Sequence, residues 1–380
     1  MTRPIATRQL PLTIDSAELH IVRLPLISPF TTSTGTMHEK VFPLLVLKSG
    51  ELEGYAEGVM DPLPDYLDDT ISAATYFLRE AILPNVVGKS FENPQELEKV
   101  LAPWRGHWMA KATVEMAFWD LWAKALGLPL KTLLGGTGDK VAVGVSLGLQ
   151  DIEATVEAAK RHHAEGYKRI KLKIEPGHDV ELVARVRAAL PDARMSVDAN
   201  TAYSLADLRV LKALDAYDLE YIEQPLAYDD IHDHAVLQSR IATAVCLDES
   251  IRSAADARKA LASDAARVVN IKVGRVGGHL EARRIHDIAQ AWSVPVWCGG
   301  MLESGIGRAH NIHMSTLPNF RKPGDTSSAR RYFRKDLTVE WLETEGGMMP
   351  VPEGPGIGVR LDREFLESIS SDRETFGAAG

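Results

Sequence analysis

Five ionisable residues close successive hydrophobic runs in the middle of the chain. They are Lys173, Asp198, Glu223, Asp248 and Lys272, and neighbouring members are 25, 25, 25 and 24 residues apart. A β-strand, a helix and the return to the next parallel strand need about this length of chain. In a closed parallel barrel the carboxyl ends of all strands meet at one mouth, where active sites lie. The repeat therefore predicts two lysines and three carboxylates together at one end of a barrel.

This combination of side chains suggests metal-dependent proton transfer. No Cys or His occupies one of the repeating strand-end positions, and the three carboxylates Asp198, Glu223 and Asp248 suit Mg²⁺. Lys173 and Lys272 would lie on the second and sixth strands of the barrel and would face each other across the metal. Each could then remove or deliver a proton on one face of a carbon. Buried ion pairs at strand ends are the alternative. Burying five in-phase charges is costly without a metal or a function, so we favour an active site.

Helical patterning separates the charged strand ends. The predicted barrel helices cover residues 179–190, 204–214, 231–241, 253–261 and 278–292. The first barrel strand is predicted over 141–147, where Ser146 ends it, and the seventh over 294–298. A glycine-rich loop, 299–307, follows the seventh strand and could present backbone N–H groups to an anion, although such loops are often only tight turns.

The N-terminal third has a different pattern. Alternation over 14–22 and 41–47 predicts strands, and the polar stretch 28–36 between them predicts a mobile loop that carries Phe30. Helices are predicted over 69–81, 94–101 and 110–126. We therefore expect an α+β capping domain over 1–138, a catalytic barrel over 139–335, and a C-terminal segment over 336–380 that packs on the capping domain.

Composition excludes several classes of partner. The chain has 380 residues and a net charge of −9 without a conspicuous basic run, so we expect no nucleic acid and no membrane as partners. The two cysteines, Cys246 and Cys298, lie in apolar runs and are predicted to be buried thiols. Residues 1–12 contain no signal-peptide core, and no apolar stretch is long enough to span a bilayer. A cytoplasmic location is the resulting expectation.

At the charged positions the sequence resembles the enolase superfamily. The matching motifs are Lys171-x-Lys173, Asp198-x-Asn200, Glu223-Gln224-Pro225, Asp248-Glu249 and Lys272. Lysines on both faces resemble the muconate-lactonizing subgroup, whereas the mandelate racemase subgroup would place a His base where this chain has Cys298-Gly299. The segments 169–174, 270–278 and 297–310 resemble, more narrowly, the N-acylamino acid racemase / o-succinylbenzoate synthase family. The resemblance covers nearly the whole chain.

The resemblance implies a fold and a mechanism. The fold is α/β, a modified TIM (β/α)7β barrel with an N-terminal α+β capping domain completed by the C-terminal tail. Mg²⁺, for which Mn²⁺ or another divalent ion could substitute, would be bound by Asp198, Glu223 and Asp248 and would stabilise an enediolate formed from a small-molecule carboxylate. Lys173 would be the first base, kept neutral by burial, by Lys171 and by the metal. Lys171 would also contact the substrate carboxylate.

The roles of Lys272 and of the surrounding residues follow from the same resemblance. Lys272 would act on the opposite face in racemisation, or as a cation beside the enediolate in o-succinylbenzoate synthesis. Asn200 and Glu249 would support the metal ligands. Arg275 would tune Lys272 or hold an anion, with a surface ion pair as the alternative. The expected substrate contacts, made under N-terminal loops that close over the mouth, are Phe30 and Met60 for an apolar side chain, Ser146, Gly300 and Met301 for an acyl or succinyl group, and Glu303 near the carboxylate or a lysine.

The sequence leaves several functions open. The first is an N-acylamino acid racemase, including N-succinylamino acids, an o-succinylbenzoate synthase of menaquinone biosynthesis, or both. A muconate-type cycloisomerase or a dipeptide epimerase is the alternative among enzymes, and Asp325, after the eighth strand, keeps the epimerase open as a possible ligand for a free amine. A barrel that binds a small anion or a metal without turnover is the alternative outside enzymes. The family also suggests a homo-oligomer.

Overall fold

A computed structural model describes residues 10–32 and 35–377 of the chain. Some sequence-based expectations concern residues outside these ranges. They are the lack of a signal-peptide core over residues 1–9, the tip of the polar stretch at 33–34, and the last three residues of the C-terminal segment.

The described residues form fifteen strands and thirteen α-helices. The strands are β1 Leu12–Thr13, β2 Ser16–Thr32, β3 Gly35–Ser49, β4 Leu52–Glu57, β5 Ser90–Phe91, β6 Lys140–Ala142, β7 Val145–Leu147, β8 Ile170–Lys173, β9 Met195–Asp198, β10 Ile222–Glu223, β11 Val245–Leu247, β12 Val268–Ile271, β13 Val296–Cys298, β14 Met348–Pro350 and β15 Ser370–Gly377. The helices are α1 Ile71–Phe77, α2 Leu83–Val86, α3 Pro94–Leu101, α4 Trp108–Leu126, α5 Leu130–Leu134, α6 Ile152–Ala164, α7 Val180–Ala189, α8 Leu208–Ala213, α9 His232–Gln238, α10 Ala254–Ala262, α11 His279–Ala291, α12 Gly305–Met314 and α13 Arg363–Ile369.

The predicted barrel is confirmed. Strands β7 to β13 form one parallel sheet in sequence order, and helices α6 to α12 lie between or after them in the chain. The segment 320–325 closes the barrel, because Phe320 bridges to Val296 on β13 and Gly324 bridges to Val143 just before β7. All four residues of β8 are buried, as are all four of β9, which is typical of parallel strands covered by helices.

Tyr221 and Trp297 pack against each other in the barrel interior. Tyr221 stacks on Trp297 with ring centroids 5.8 Å apart, and Trp297 Nε1 lies 3.3 Å from Cys246 Sγ. Cys246 and Cys298 are both buried free thiols, as predicted. Among the helices of residues 10–32 and 35–377, none has the length and apolarity needed to cross a bilayer.

The capping domain is built on an antiparallel sheet. Its strand order is β15-β2-β3-β4, so the C-terminal strand adds to a sheet begun near the N-terminus. The predicted mobile loop over 28–36 is wrong for most of its length, since Phe30 pairs with Met37 and Thr31 with Thr36 in a long hairpin. Cross-strand pairing with residues further along the chain overrides the polar local sequence there. The boundaries 1–138, 139–335 and 336–380 stay predictions.

Two buried carboxyl groups of the capping domain contact the starts of barrel helices. Glu115 on α4 accepts hydrogen bonds from the first two backbone N–H groups of α11, at 2.7 and 3.0 Å. Glu57 on β4 accepts from the N–H groups of Ser304 and Gly307 at the start of α12, at 3.1 and 3.3 Å. These N–H groups have no partner within their helices, so the carboxyl groups fix the capping domain over the barrel.

Three buried histidines lie near the same contact between capping domain and barrel. His310 Nδ1 is 2.8 Å from His279 Nε2, and His310 Nε2 is 2.8 Å from the carbonyl oxygen of Tyr55. Burial lowers the pKa of His310 and of His313 to about 4. The folded protein therefore holds these imidazoles neutral at pH values where an unfolded chain would protonate them.

We expect this cluster to make the fold sensitive to acid. The contribution of His310 to the free energy of unfolding is fully present above pH 6.5, the ordinary pKa of histidine. It is lost progressively as pH falls from 6.5 through about 4, the pKa in the folded protein. His310→Gln should reduce that loss by about 3 kcal/mol in urea titrations at several pH values. The control is His38→Gln on an exposed side chain, which should keep the wild-type pH dependence. Equal pH dependence in all three proteins would contradict the assignment.

Candidate active site

The charged residues of the repeat gather at the mouth of the barrel. Lys173 ends β8, Asp198 ends β9 and Glu223 ends β10, whereas Asp248 directly follows β11 and Lys272 directly follows β12. Asp198 and Glu223 are register partners on adjacent strands. The exposed fraction of each of the five residues is 9% or less. The structure thus brings together the two lysines and three carboxylates that the spacing predicts.

The lysines form ion pairs with the carboxylates. Lys171 Nζ lies 2.8 Å from Glu223 Oε2 and 3.2 Å from Asp198 Oδ2. Lys173 Nζ lies 2.7 Å from Asp198 Oδ2, and Lys272 Nζ lies 2.8 Å from Asp248 Oδ2. Each carboxylate of the set is therefore paired with at least one lysine.

These carboxylates form a suitable donor set for a hard divalent cation. Among the described residues, no three acidic, histidine or cysteine side chains are gathered closely enough to hold a metal ion, and Lys171 Nζ contacts both Asp198 and Glu223. Burial raises the pKa of Glu223, and the nearby charge of Asp198 raises it further. This repulsion between buried carboxylates is what a divalent cation would relieve. Asp198, Glu223 and Asp248 are thus the residues that could hold one.

The neighbouring charges shift the pKa values of Asp198 and Lys272 in opposite directions. Burial alone would raise the pKa of Asp198, but Lys173 and Lys171 outweigh burial and lower it. Burial alone would lower the pKa of Lys272, but Tyr66, Glu249 and Glu223 outweigh burial and raise it. The site therefore stabilises paired charges as long as the partners remain in contact.

The residues expected to support the metal ligands do contact this set. Asn200 accepts a hydrogen bond from Lys173, and its Nδ2 donates to Glu249 Oε1 at 3.0 Å. Arg275 is fully buried, pairs with Asp248 and donates to the carbonyl oxygen of Asn270 at 2.8 Å. The surface ion pair considered for Arg275 is therefore wrong, because the turn after β12 directs its guanidinium into the barrel.

Most of the expected substrate contacts line two adjoining cavities above the charged set. Both cavities are lined by Lys173, Lys272, Phe30 and Gly300. The first is also lined by Ser146 and Glu303, and the second by Met301. Their roles toward a substrate stay predictions.

Met60 is the exception among these residues. It is fully buried and is not among the residues that line either cavity. Its Sδ lies only 2.7 Å from the position that a Cβ on Gly58 would occupy, so Met60 packs against the main chain of its own loop. The structure does not place Met60 with the other predicted contacts, and a contact between Met60 and substrate stays a prediction.

Asp325 has a larger part in the site than the sequence indicates. Its Oδ2 lies 2.9 Å from Lys171 Nζ and accepts a hydrogen bond from Ser146 Oγ at 3.1 Å, while Oδ1 pairs with the fully buried Arg169. The carboxylate is thus engaged by two cations, which argues against a role as the ligand for a free substrate amine. The sequence signal for Asp325 was its position after the predicted eighth strand of the barrel.

Tyr66 is a residue of the site that the sequence analysis missed. It belongs to the loop between β4 and α1, and its hydroxyl oxygen lies 2.8 Å from Lys272 Nζ. The same hydroxyl group donates to Asp248 Oδ2 at 3.3 Å. No periodicity or motif marks a single tyrosine in an irregular loop, so no signal in the sequence could have placed it there.

Two family models and several known proteins match most of this chain. Residues 16–135 match the model of the mandelate racemase / muconate lactonizing enzyme N-terminal domain, and residues 154–365 match the enolase C-terminal domain-like model. An N-succinylamino acid racemase of Thermus thermophilus is 53% identical, over 94% of this chain and 97% of its own length. An o-succinylbenzoate synthase of Geobacillus kaustophilus is 46% identical, over 96% of this chain and 97% of its own.

A solved structure shows the same fold over nearly the whole chain. It is that of an enolase superfamily member from Listeria innocua, with a TM-score of 0.93 and 39% sequence identity, and the match covers 96% of this chain and 99% of that one. The chain belongs to the enolase superfamily, in the group of mandelate racemase and muconate lactonizing enzymes. It is an enzyme, which removes the alternative of a barrel without turnover.

The contacts of Asp325 generate a testable expectation. Asp325→Asn removes the charge that offsets Arg169 and Lys171, leaving buried cations short of a partner. We expect the free energy of unfolding in urea to fall by about 3 kcal/mol. The matched control is Asp229→Asn on an exposed loop residue, where the change should stay within about 0.5 kcal/mol. A similar small effect in both variants would show that Asp325 does not compensate these charges.

Proposed function

We propose that this enzyme removes the α-proton of a carboxylate substrate with the help of Mg²⁺, and that it acts as an N-succinylamino acid racemase, an o-succinylbenzoate synthase, or both. The observation that carries the proposal is the presence of Lys173 and Lys272 in the lining of the same cavities, above three buried carboxylates. The names of the two relatives given above support the choice of reactions.

The residues proposed to hold Mg²⁺ are Asp198, Glu223 and Asp248. When bound there, Mg²⁺ would supply positive charge to the carboxylate oxygens of a substrate, where negative charge develops as the α-proton leaves. Asn200 would orient Asp198 through its backbone N–H, which donates to Asp198 Oδ1 at 3.1 Å, and Glu249 would hold the Asn200 side chain through the hydrogen bond between them. Arg275 would do the same through its contact with Asp248.

The two lysines divide the proton transfers between them. Lys173 removes the proton from one face of the α-carbon, and Lys272 delivers a proton to the other face, which inverts the configuration. In the synthase reaction Lys173 removes the proton and later assists departure of the hydroxyl group, while Lys272 stays a cation beside the enediolate. Removal of a proton next to a carboxylate is common to both reactions, so one site can serve both.

The remaining cavity residues suit an acyl or succinyl group. Ser146 and Gly300 line the cavity that contains Lys171 and Arg308, so polar and cationic groups lie together there. Phe30 and Met301 line the adjoining cavity and offer apolar surface for a side chain. We propose that the acyl or succinyl group binds at the first cavity and the amino acid side chain at the second.

The other candidate functions have weaker support. A muconate cycloisomerase of Rhodococcus opacus is only 29% identical over 94% of this chain. For a dipeptide epimerase, Lys171 and Arg169 already engage Asp325, the residue that the sequence offered as a ligand for a free amine. Menaquinone biosynthesis, a cytoplasmic location and a homo-oligomeric state remain proposals that follow from the family resemblance and the composition.

The proposal predicts proton exchange at the α-carbon. In D2O with Mg²⁺, wild-type protein should remove the α-proton NMR signal of N-succinyl-L-methionine while the optical rotation decays. Lys173→Ala and Lys272→Ala should each slow racemisation about 1,000-fold, because each deletes one acid–base group. Lys160→Ala, on an exposed lysine of α6, is the control and should racemise at the wild-type rate.

A substrate series separates the two reactions. Lack of exchange in wild type with N-succinyl- and N-acetyl-methionine would eliminate the racemase, and formation of o-succinylbenzoate from its hydroxylated precursor would then be measured. If the wild-type protein performs neither reaction, the proposed function is wrong. Loss of both reactions in Lys173→Ala, with the fold intact by circular dichroism, would support a shared first step.

Metal removal gives an independent prediction. Dialysis against EDTA should abolish activity, and added Mg²⁺ or Mn²⁺ should restore it, since Asp198, Glu223 and Asp248 offer only oxygen ligands. Circular dichroism should show an intact fold without metal, because the lysines already compensate the carboxylates. Full activity after exhaustive chelation would rule out the proposed metal dependence.

A further inference from the structure

One side chain of the capping domain contacts a lysine of the barrel mouth directly. Tyr66 accepts a hydrogen bond from Lys272 Nζ at 2.8 Å, and this nitrogen lies 4.7 Å from the centre of the tyrosine ring. The hydroxyl group also donates to Asp248 Oδ2 at 3.3 Å. Tyr66, Lys272 and Asp248 therefore form a closed triangle of contacts, because Lys272 Nζ is itself 2.8 Å from Asp248 Oδ2.

This triangle fixes the direction of the lysine nitrogen. An amine nitrogen has four tetrahedral positions, one of which is taken by its own carbon chain. Two of the other three point at Tyr66 and Asp248, and Lys272 lines the cavity that would receive the substrate. The remaining position carries a lone pair when the nitrogen is neutral and a proton when it is charged. The two contacts thus define one direction for both removing and returning a proton.

The loop that carries Tyr66 is attached at several points. The backbone N–H of Ile71 donates to the carbonyl oxygen of Asp61 at 3.0 Å, and Lys40 donates to the Asp61 carboxylate at 3.3 Å. Asp69 accepts from the N–H of Met109 at the start of α4, at 3.0 Å. The hydroxyl of Tyr66 is therefore held by the capping domain and not by the barrel alone.

Lys173 is held by a different set of residues. It donates to Asp198 Oδ2 at 2.7 Å and to Asn200, both of which belong to the barrel. The two lysines of the site are thus oriented by separate elements. A change at Tyr66 should therefore affect the two faces of a substrate unequally.

We propose that Tyr66 is a positioning residue that orients Lys272, so that the loop 61–70 of the capping domain controls proton transfer on one face of the α-carbon. This inference rests on the proposed function, because it assigns Lys272 to one face and Lys173 to the other. Tyr66 exchanges no proton with substrate in this role. It supplies the hydrogen bond that aims the nitrogen which does.

Racemisation rates cannot test this inference, because every turnover uses both lysines. Exchange of the α-proton with D2O, followed by NMR for each enantiomer separately and extrapolated to zero time, reports proton removal by one lysine. Lys173→Ala and Lys272→Ala identify the enantiomer that each lysine serves. Tyr66→Phe should slow exchange of the Lys272 enantiomer about tenfold and leave that of the Lys173 enantiomer within about twofold, with unchanged KM for both.

The matched control is Tyr76→Phe, which removes a hydroxyl group from an exposed tyrosine of α1 and should exchange both enantiomers at wild-type rates. Tyr66→Met is a second variant without the hydroxyl group, and circular dichroism and Mg²⁺ affinity are measured for all variants. Unchanged exchange in Tyr66→Phe would overturn the inference. Equal slowing on both faces together with weaker Mg²⁺ binding would also overturn it, since Tyr66 would then act through Asp248. If wild type itself shows no exchange, the proposed function has failed, and the inference fails with it.

Discussion

Compensation of buried charge at the barrel mouth is the constraint on which the rest of the structure depends. Asp198, Glu223 and Asp248 are almost completely removed from water, and isolated ionised carboxylates in such a place would be very costly. Lysines on β8 and after β12 offset them, and Arg275 adds a further cation. The same lysines are the proposed acid–base groups, so the residues that make the site stable are also those that make it reactive.

The capping domain completes this arrangement from above. Its carboxyl groups Glu57 and Glu115 bind the starts of two barrel helices, and its Tyr66 contacts Lys272. Phe30, near the tip of the long hairpin, lines both cavities of the site. The capping domain thus contributes part of the cavity wall and part of the lysine geometry, whereas the barrel contributes the charges.

The sequence predicted the barrel and its charged residues because a βα repeat places every strand end at the same mouth. The regular spacing along the chain therefore shows which residues lie at that mouth. It also predicted α3 over 94–101, where Asn93 caps a helix that starts with proline. Tyr66 and the Phe30 hairpin depend on contacts between distant parts of the chain, which leave no periodic signal. Asp325 was noticed, but only the structure shows that Lys171 and Arg169 engage it. Met60 was expected to contact a substrate side chain, but the structure shows that it packs against the main chain of its own loop.

The measurement that tests the account most directly is Mg²⁺ binding by isothermal titration calorimetry. Wild-type protein should bind one Mg²⁺ per chain, and Glu223→Gln should weaken binding about 100-fold or more. Removal of a direct metal ligand should weaken binding at least as much as removal of a residue that only hydrogen-bonds to a ligand. Glu220→Gln is the matched control, since Glu220 precedes the same strand and pairs with Arg194 and Lys322. Equal Mg²⁺ affinity in wild type and Glu223→Gln would contradict the claim that the buried carboxylates of the barrel mouth form the metal site.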